Sequence, residues 1–339
     1  MRQSSLSRRS FIAGTGAAIT VGATIGADAA TAAKAEFHYR LGLSQPLDSP
    51  NFIRLQEMAG NVREESNGRM LIEVKGAGEL GSDSAMLAML QKNELEIYLG
   101  GNVFGPLVPT MEMPGLPFTF KTPADVFAAL DGEMGDYLRA EMLAKGIVTF
   151  RHWFDNGFHH LTTGTKPIRT VDDLVGMKIR TPVQTMTVDF FETLGAKPVK
   201  FTLNQVYEVL RNRTVEGMTD PLGLILLLKL YEVQTYLNLT DHWWSGFTLV
   251  ANAEAWKALP PDLQAIVEKH AEKAALAQRQ DIDKLNGGAL EALRAKGMIV
   301  SQTDTSGFRK PLGAFYARWK ENYGAKAWNL LEARVGKLT

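Results

Sequence analysis

A single guanidinium at the end of a short strand is the first chemistry this sequence offers. Arg180 closes the run Met177-Lys178-Ile179-Arg180, with Gly176 before it and Pro182 after it. Glycine and proline in those places bound a strand, and strand ends are where open α/β sheets present groups to ligands. A guanidinium stays charged and can fork onto a carboxylate through two parallel hydrogen bonds. Residue type and place together suggest a receptor for a small organic acid. The competing reading is a surface arginine in an ordinary ion pair.

Other chemistry-bearing motifs are weaker. Gly76-Ala77-Gly78-Glu79-Leu80-Gly81 matches G-x-G-x-x-G between a strand and a helix, with Glu96 downstream, the pattern of a dinucleotide site. Its helix caps, Ser82 and Asp83, come after the third glycine, so a phosphate would miss the helix N-terminus. Glu96 also opens its strand rather than ending it. A flexible strand-to-helix loop is the expectation, with no cofactor. The six histidines show no metal spacing, and adjacent His159-His160 point to opposite faces of a strand. Neither H-E-x-x-H nor G-x-S-x-G occurs. Asp172-Asp173 and Glu64-Glu65 read as solvated helix ends. No catalytic or metal-ligating residue is therefore assigned, and the chain reads as a non-enzyme. Phe104, Trp153, Phe154, Trp243 and Trp244 fall in or beside loops after strands. Several aromatics there, beside the arginine strand, suit a mostly apolar cleft with a few polar clamps.

The elements that must position these groups alternate. Strands are expected at residues 37–43, 70–74, 95–99, 147–153, 177–180, 215–219, 236–239 and 248–251. Helices are expected at 51–66, from Ser82 or Asp83 to Gln91, from Thr122-Pro123 to about Ala144, at 205–211, at 222–233, and from Asp262 toward Lys296. The last is expected to break or bend near Gly287-Gly288. Thr170-Val171-Asp172-Asp173 has the form of a capping box before the Arg180 strand. Alternating strands and helices mean an α/β fold.

The chain has 339 residues, 45% hydrophobic and 22% charged, which suggests roughly two domains of ~150 residues. Its 37 basic and 37 acidic residues cancel, so no basic excess points to nucleic acid. Cysteine is absent, which excludes disulfides and thiolate chemistry. At the N-terminus, Ser7-Arg8-Arg9-Ser10-Phe11-Ile12 is a twin-arginine pattern, followed by an Ala- and Gly-rich run and small-residue cleavage candidates between Ala27 and Ala35. That order reads as a Tat-type signal peptide over about residues 1–35 and a periplasmic mature chain.

The stretch from Thr163 to Asn252 resembles the solute-binding proteins of TRAP (tripartite ATP-independent periplasmic) transporters. The matching text includes Asp173-Leu174-Val175-Gly176-Met177-Lys178-Ile179-Arg180-Thr181-Pro182, Leu194-Gly195-Ala196-Lys197-Pro198 and Gln205-Val206-Tyr207. It continues through Val215-Glu216-Gly217, Pro221-Leu222, Tyr231-Glu232-Val233-Gln234-Thr235-Tyr236 and Leu239-Thr240-Asp241-His242. Glu79-Leu80-Gly81 and Leu116-Pro117-Phe118 extend the resemblance over nearly the whole mature chain.

The resemblance implies two α/β lobes, each a sheet flanked by helices, with crossing strands and a long helix spanning both. Lobe one covers about residues 36–155 and 245–285, and lobe two about 156–244 and 286–325; 326–339 is a C-terminal segment. It implies a monomer that closes on its ligand and docks on membrane permease subunits, and it puts the selectivity arginine at Arg180. Two departures bear on the ligand. His159 stands where many members have a second arginine, and Asp220 where many have an asparagine. His159, Asp220 and Asn102 are expected to supply polar contacts, and Phe104, Trp153, Tyr207, Trp243 and Trp244 to shape the pocket. That set leans toward a monocarboxylate with an apolar or aromatic body, with hydroxylated sugar acids open. Two other readings remain: an exported nicotinamide-dependent oxidoreductase, and a ligand-sensing subunit of a signalling system.

Overall fold

Short apolar runs bounded by turn residues fold as strands, and the computed structural model places them in one continuous sheet. It describes residues 35–101 and 103–338. The expected signal segment, save Ala35, lies outside the described residues, as does Asn102.

The first part of the chain comprises β1 (Phe37–Leu43), α1 (Pro50–Glu65), β2 (Met70–Lys75), α2 (Asp83–Gln91), β3 (Ile97–Gly100), α3 (Pro123–Leu130), α4 (Glu133–Leu143) and β4 (Ile147–Thr149). The middle comprises β5 (Phe154–Thr163), β6 (Lys178–Thr181), α5 (Thr185–Thr193), β7 (Lys197–Lys200), α6 (Val206–Arg211), β8 (Gly217–Pro221), α7 (Leu222–Leu227) and β9 (Tyr236–Leu239). Then follow β10 (Trp244–Asn252), α8 (Ala253–Ala258), α9 (Pro261–Ala295), β11 (Ile299–Gln302), α10 (Ser306–Arg309) and α11 (Leu312–Val335).

The spatial order is β2-β1-β3-β10-β5-β8-β6-β7, with β4 on β10, β9 on β5 and β11 on β9. β10 and β5 sit in the middle and serve both sides. β10 pairs β3 through Thr248–Ala251 and β5 through Trp244–Phe247. β5 then pairs β8 and β9 through residues 159–163. All nine residues of β10 are buried, which explains its near-continuous apolar run. The ladder shifts register between Ser245 and Gly246. A Cβ at Gly246 would lie 2.5 Å from Phe154 O, so only glycine fits this approach.

Local signals start the helices as the sequence implies. Ser49 caps α1 ahead of Pro50, and Leu55, Met58, Ala59 and Val62 form its buried stripe. Ser82 caps α2, and Thr122 and Asp125 form a capping box on α3. α9 runs unbroken for 35 residues, about 52 Å at ~1.5 Å per residue. Gly287 and Gly288 do not break it, although a break or bend was expected there. Glycine costs a helix only ~1 kcal/mol, and side chains hold α9 on the sheet on both flanks of the crossing. Gln278 donates to Asn51 Oδ1 (2.7 Å) and Asp155 O (2.8 Å) and accepts from Asp155 N. Asn286 donates to Asn156 O (3.0 Å) and accepts from Gly223 N (2.8 Å).

Other boundaries are corrected. The helix expected from Thr122-Pro123 to Ala144 is two, parted at Gly132, whose backbone is extended. The expected 147–153 strand stops at Thr149. The expected 222–233 helix ends at Leu227, because Lys229 takes a left-handed conformation (φ 53). β11 and the C-terminal helices were not read from the sequence; α11 carries one non-helical residue, Gly324 (φ 79).

Candidate functional site

Strand ends and the loops after them converge on a cavity of about 90 Å³ beside the β5–β10 crossing, room for about three waters at ~30 Å³ each. One wall comes from Ser44 and Gln45 after β1 and Asp83 at the start of α2; the opposite wall comes from Arg180, Phe201 and Asp220. Asn156, His159, Ser245 and Phe247, from the two central strands, lie between.

Arg180 is 3% exposed. Its Nε and Nη2 donate to Phe201 O at 3.0 and 2.9 Å, and Nη1 donates to Asp220 Oδ2 at 3.3 Å. A guanidinium has five donors. One N–H on each of Nη1 and Nη2 therefore remains, and together they can take a carboxylate. Burial pushes the Arg180 pKa down, while Asp220 and Asp83 push it back up. Burial likewise raises the Asp220 carboxyl to about 6 against the pull of Arg180. Desolvation thus outweighs attraction for both partners, as expected of a buried pair held by one long contact. Asp83 accepts from Tyr98 Oη at 2.7 Å; burial raises its pKa, and the Tyr98 and Ser44 bonds moderate the rise. The charged lining residues, among those described, are thus one cation and two carboxylates.

His159 lies between Thr219 and Ser245, with Nδ1 3.0 Å from Thr219 Oγ1 and Nε2 2.7 Å from Ser245 Oγ. Burial, then the nearby His242, His160 and Arg180, holds it well below the usual imidazole value, so it is neutral.

The structure brings Arg180, Asp220 and His159 together on this cavity, and Asn102 lies outside the described residues. The aromatic wall is a correction. Trp153, Trp243, Trp244 and Phe104 are core residues, each at most 4% exposed. Trp244 donates to Asp155 Oδ1 at 2.8 Å and packs on Phe127 and Trp153. Phe104 packs beside Tyr98. Large rings at strand ends are covered here by helices, and full burial favours them more than half-exposure in a wet cavity. Tyr207, on α6, bonds Glu232 at 2.7 Å on the surface. The sequence reading missed Asn156, Ser245, Gln45 and the two phenylalanines, Phe201 and Phe247. Asp83 was visible only as a helix cap.

The glycine loop is consumed by its own turn. The N–H groups of Ala77, Gly78, Glu79 and Gly81 donate to the carbonyls of Gln45, Leu43, Gly76 and Gly78, so these donors are not free to cradle a phosphate.

A family model, bacterial extracellular solute-binding protein, family 7, matches residues 41–322. The chain belongs to this family of TRAP solute-binding proteins. Family 7 relatives differ in length and in the ligand they are named for. The chain is 33% identical over 307 residues to an uncharacterized protein, y4mM, of Sinorhizobium fredii, covering 90% of this chain but only 56% of that relative. It is 27% identical over 276 residues to the 2,3-diketo-L-gulonate-binding periplasmic protein YiaO of Escherichia coli, covering 81% of this chain and 84% of that one. Among solved structures, a TRAP periplasmic solute-binding protein of Roseobacter denitrificans with bound β-D-glucuronate superposes with TM-score 0.84 at 26% identity, covering 89% of this chain and 100% of that one. The two-sided α/β architecture with flanking helices is that of this family.

Proposed function

We propose that this chain is the periplasmic receptor of a TRAP transporter and that it captures a small hydroxylated monocarboxylate on Arg180. The observation that carries this reading is a buried guanidinium with two donors to spare, in a cavity whose other polar groups are hydroxyls, amides and carboxylates. Arg180 anchors the carboxylate. Asp83 and Asp220 accept from ligand hydroxyls, and Phe201 and Phe247 cover the carbon skeleton. One cation against two carboxylates disfavours a dianion, because the second ligand charge would have no partner. The small cavity, where hydroxyls, amides and carboxylates converge beside Phe201 and Phe247, fits a sugar acid with a polar edge and a C–H face better than an aromatic acid. The sugar acids named for the relatives above support this class.

The cavity lies between the two groups of strands that β5 and β10 join. We take these as lobes, near 36–155 with 245–285 and 156–244 with 286–325, that close over the ligand. Export by the twin-arginine segment, delivery to permease subunits, action as a monomer and the absence of catalysis belong to the same proposal.

Calorimetry on the leaderless chain with D-glucuronate, 2,3-diketo-L-gulonate, benzoate and succinate tests it. A hydroxylated or keto monocarboxylate should bind tightest, and Arg180→Ala should cost about 2–5 kcal/mol, the usual loss when a buried charge pair loses one member. Tight succinate binding, or affinity indifferent to Arg180→Ala, would overturn it.

A further inference from the structure

Ser245 is the cavity end of a hydrogen-bonded chain that runs into the protein. Asn156 Nδ2 donates to Ser245 Oγ at 2.9 Å, and Ser245 Oγ lies 2.7 Å from His159 Nε2. His159 Nδ1 lies 3.0 Å from Thr219 Oγ1, which is 3.0 Å from His242 Nε2. His242 Nδ1 is 2.7 Å from Thr240 Oγ1, and that hydroxyl reaches His159 O at 3.5 Å.

Each hydroxyl has one proton to give, and each neutral imidazole has one N–H and one bare nitrogen. The chain therefore has only two self-consistent polarities. In the first, Ser245 donates to His159, both imidazoles carry their proton on Nδ1, and Thr240 donates to His159 O. In the second, both imidazoles carry it on Nε2, Thr240 donates to His242, and the Ser245 proton points to the cavity. The exchange loses only the 3.5 Å contact to His159 O, which keeps the N–H of His242 at 3.3 Å. Each proton moves one place along the chain. One proton enters at Ser245 from the cavity and one leaves at Thr240, which keeps 5% of its surface exposed, so proton count and charge are unchanged.

The aromatic cluster keeps both rings neutral. Trp243 lies 5.0 Å from the His159 ring and 4.4 Å from the His242 ring. Phe190 stacks on His242 at 5.9 Å and 9°, and Phe191 covers its edge.

We propose that this chain makes Ser245 a two-way subsite, accepting from a ligand hydroxyl in one polarity and donating to a ligand carbonyl in the other. The receptor then takes hydroxy acids and keto acids of one size at the same position. Ser245 touches the ligand, while His159, Thr219 and His242 are positioning residues. The inference rests on the receptor reading above.

The test is nitrogen NMR of the leaderless chain labelled with ¹⁵N-histidine at pH 7.5, with the two rings assigned through His159→Gln and His242→Gln. Both rings should be neutral and share one tautomer in the ligand-free protein. Saturating 2,3-diketo-L-gulonate should put both protons on Nε2, and D-glucuronate should put both on Nδ1. Thr219→Val should uncouple the rings and change the keto-to-hydroxy affinity ratio at least tenfold, and Thr219→Ser should restore both. Opposed tautomers, a charged ring, or an unchanged ratio in Thr219→Val would overturn the proposal. If neither acid binds, the receptor reading fails; the chain itself still stands or falls on paired tautomers that Thr219→Val separates.

Discussion

Asp220 occupies the same guanidinium that the ligand carboxylate must reach, so its charge sets the terms of binding. Its pKa of about 6 lies above the ordinary carboxyl value, and linkage fixes the sign. Between pH 4 and 6 the folded state holds the Asp220 proton longer than the unfolded state, so folded stability falls as pH rises through that window. A displacement of roughly two units corresponds to ~3 kcal/mol. Urea midpoints of the wild type should therefore fall from pH 4 to pH 6, and Asp220→Asn should flatten that slope by about one proton. Asp155, also raised to about 6 by burial, should keep a similar share. Binding should follow the same group: affinity for D-glucuronate should tighten from pH 8 to pH 5.5 as Asp220 loses its negative charge. Calorimetry on Asp220→Asn should show that dependence gone. At this scale Arg180 was legible because glycine and proline bracket its strand. The aromatic residues were misplaced because a strand-end position does not say which face a helix will cover.

Elements hold the site through contacts that no local pattern announces. Glu112 lies in the 3-10 turn Pro109–Gly115, far in sequence from α5. Its carboxylate accepts from the N–H groups of Met186 (2.8 Å) and Thr185 (3.3 Å), so it caps α5 from outside. Gly105 leaves the room, since any Cβ there would collide with the carboxylate. Burial raises Glu112 to about 7. α5 directly follows the Pro182 and Val183 stretch that lines the cavity. Glu112→Ala should cost about 0.5–2 kcal/mol of stability, the usual loss of a helix cap, read by denaturant unfolding. It should also weaken D-glucuronate binding, whereas Glu112→Gln should keep most of both. Caps supplied by the next residues, as at Ser82 and Thr122, were readable from spacing; one supplied from 73 positions away was not. The reverse error came at Gly287-Gly288, where a weak local sequence was overruled by the packing of α9.

At the scale of the molecule, the strand alternation and the single-sequence motifs were enough for the α/β class, while the crossing depended on residues with no signature of their own. Gly157 is the plainest case. Its φ is 112, and a side chain there would run into Asn286, which ties α9 to β5. Gly157→Ala should destabilise the protein by about 1–3 kcal/mol without touching Arg180, as thermal unfolding would show.

The long helix carries a thermodynamic consequence. Leu263 and Val267 near the start of α9 are set in the core under β1, β2 and β3, and Leu293 near its end is set in the core around α6, β8 and β9. Melting either core strips one end of α9 and frays β5 and β10 with it. Neither core should therefore melt while the other stays folded. Calorimetric and van't Hoff enthalpies should agree for the whole chain, and an acid gripped at one arginine should raise the melting temperature of every residue together.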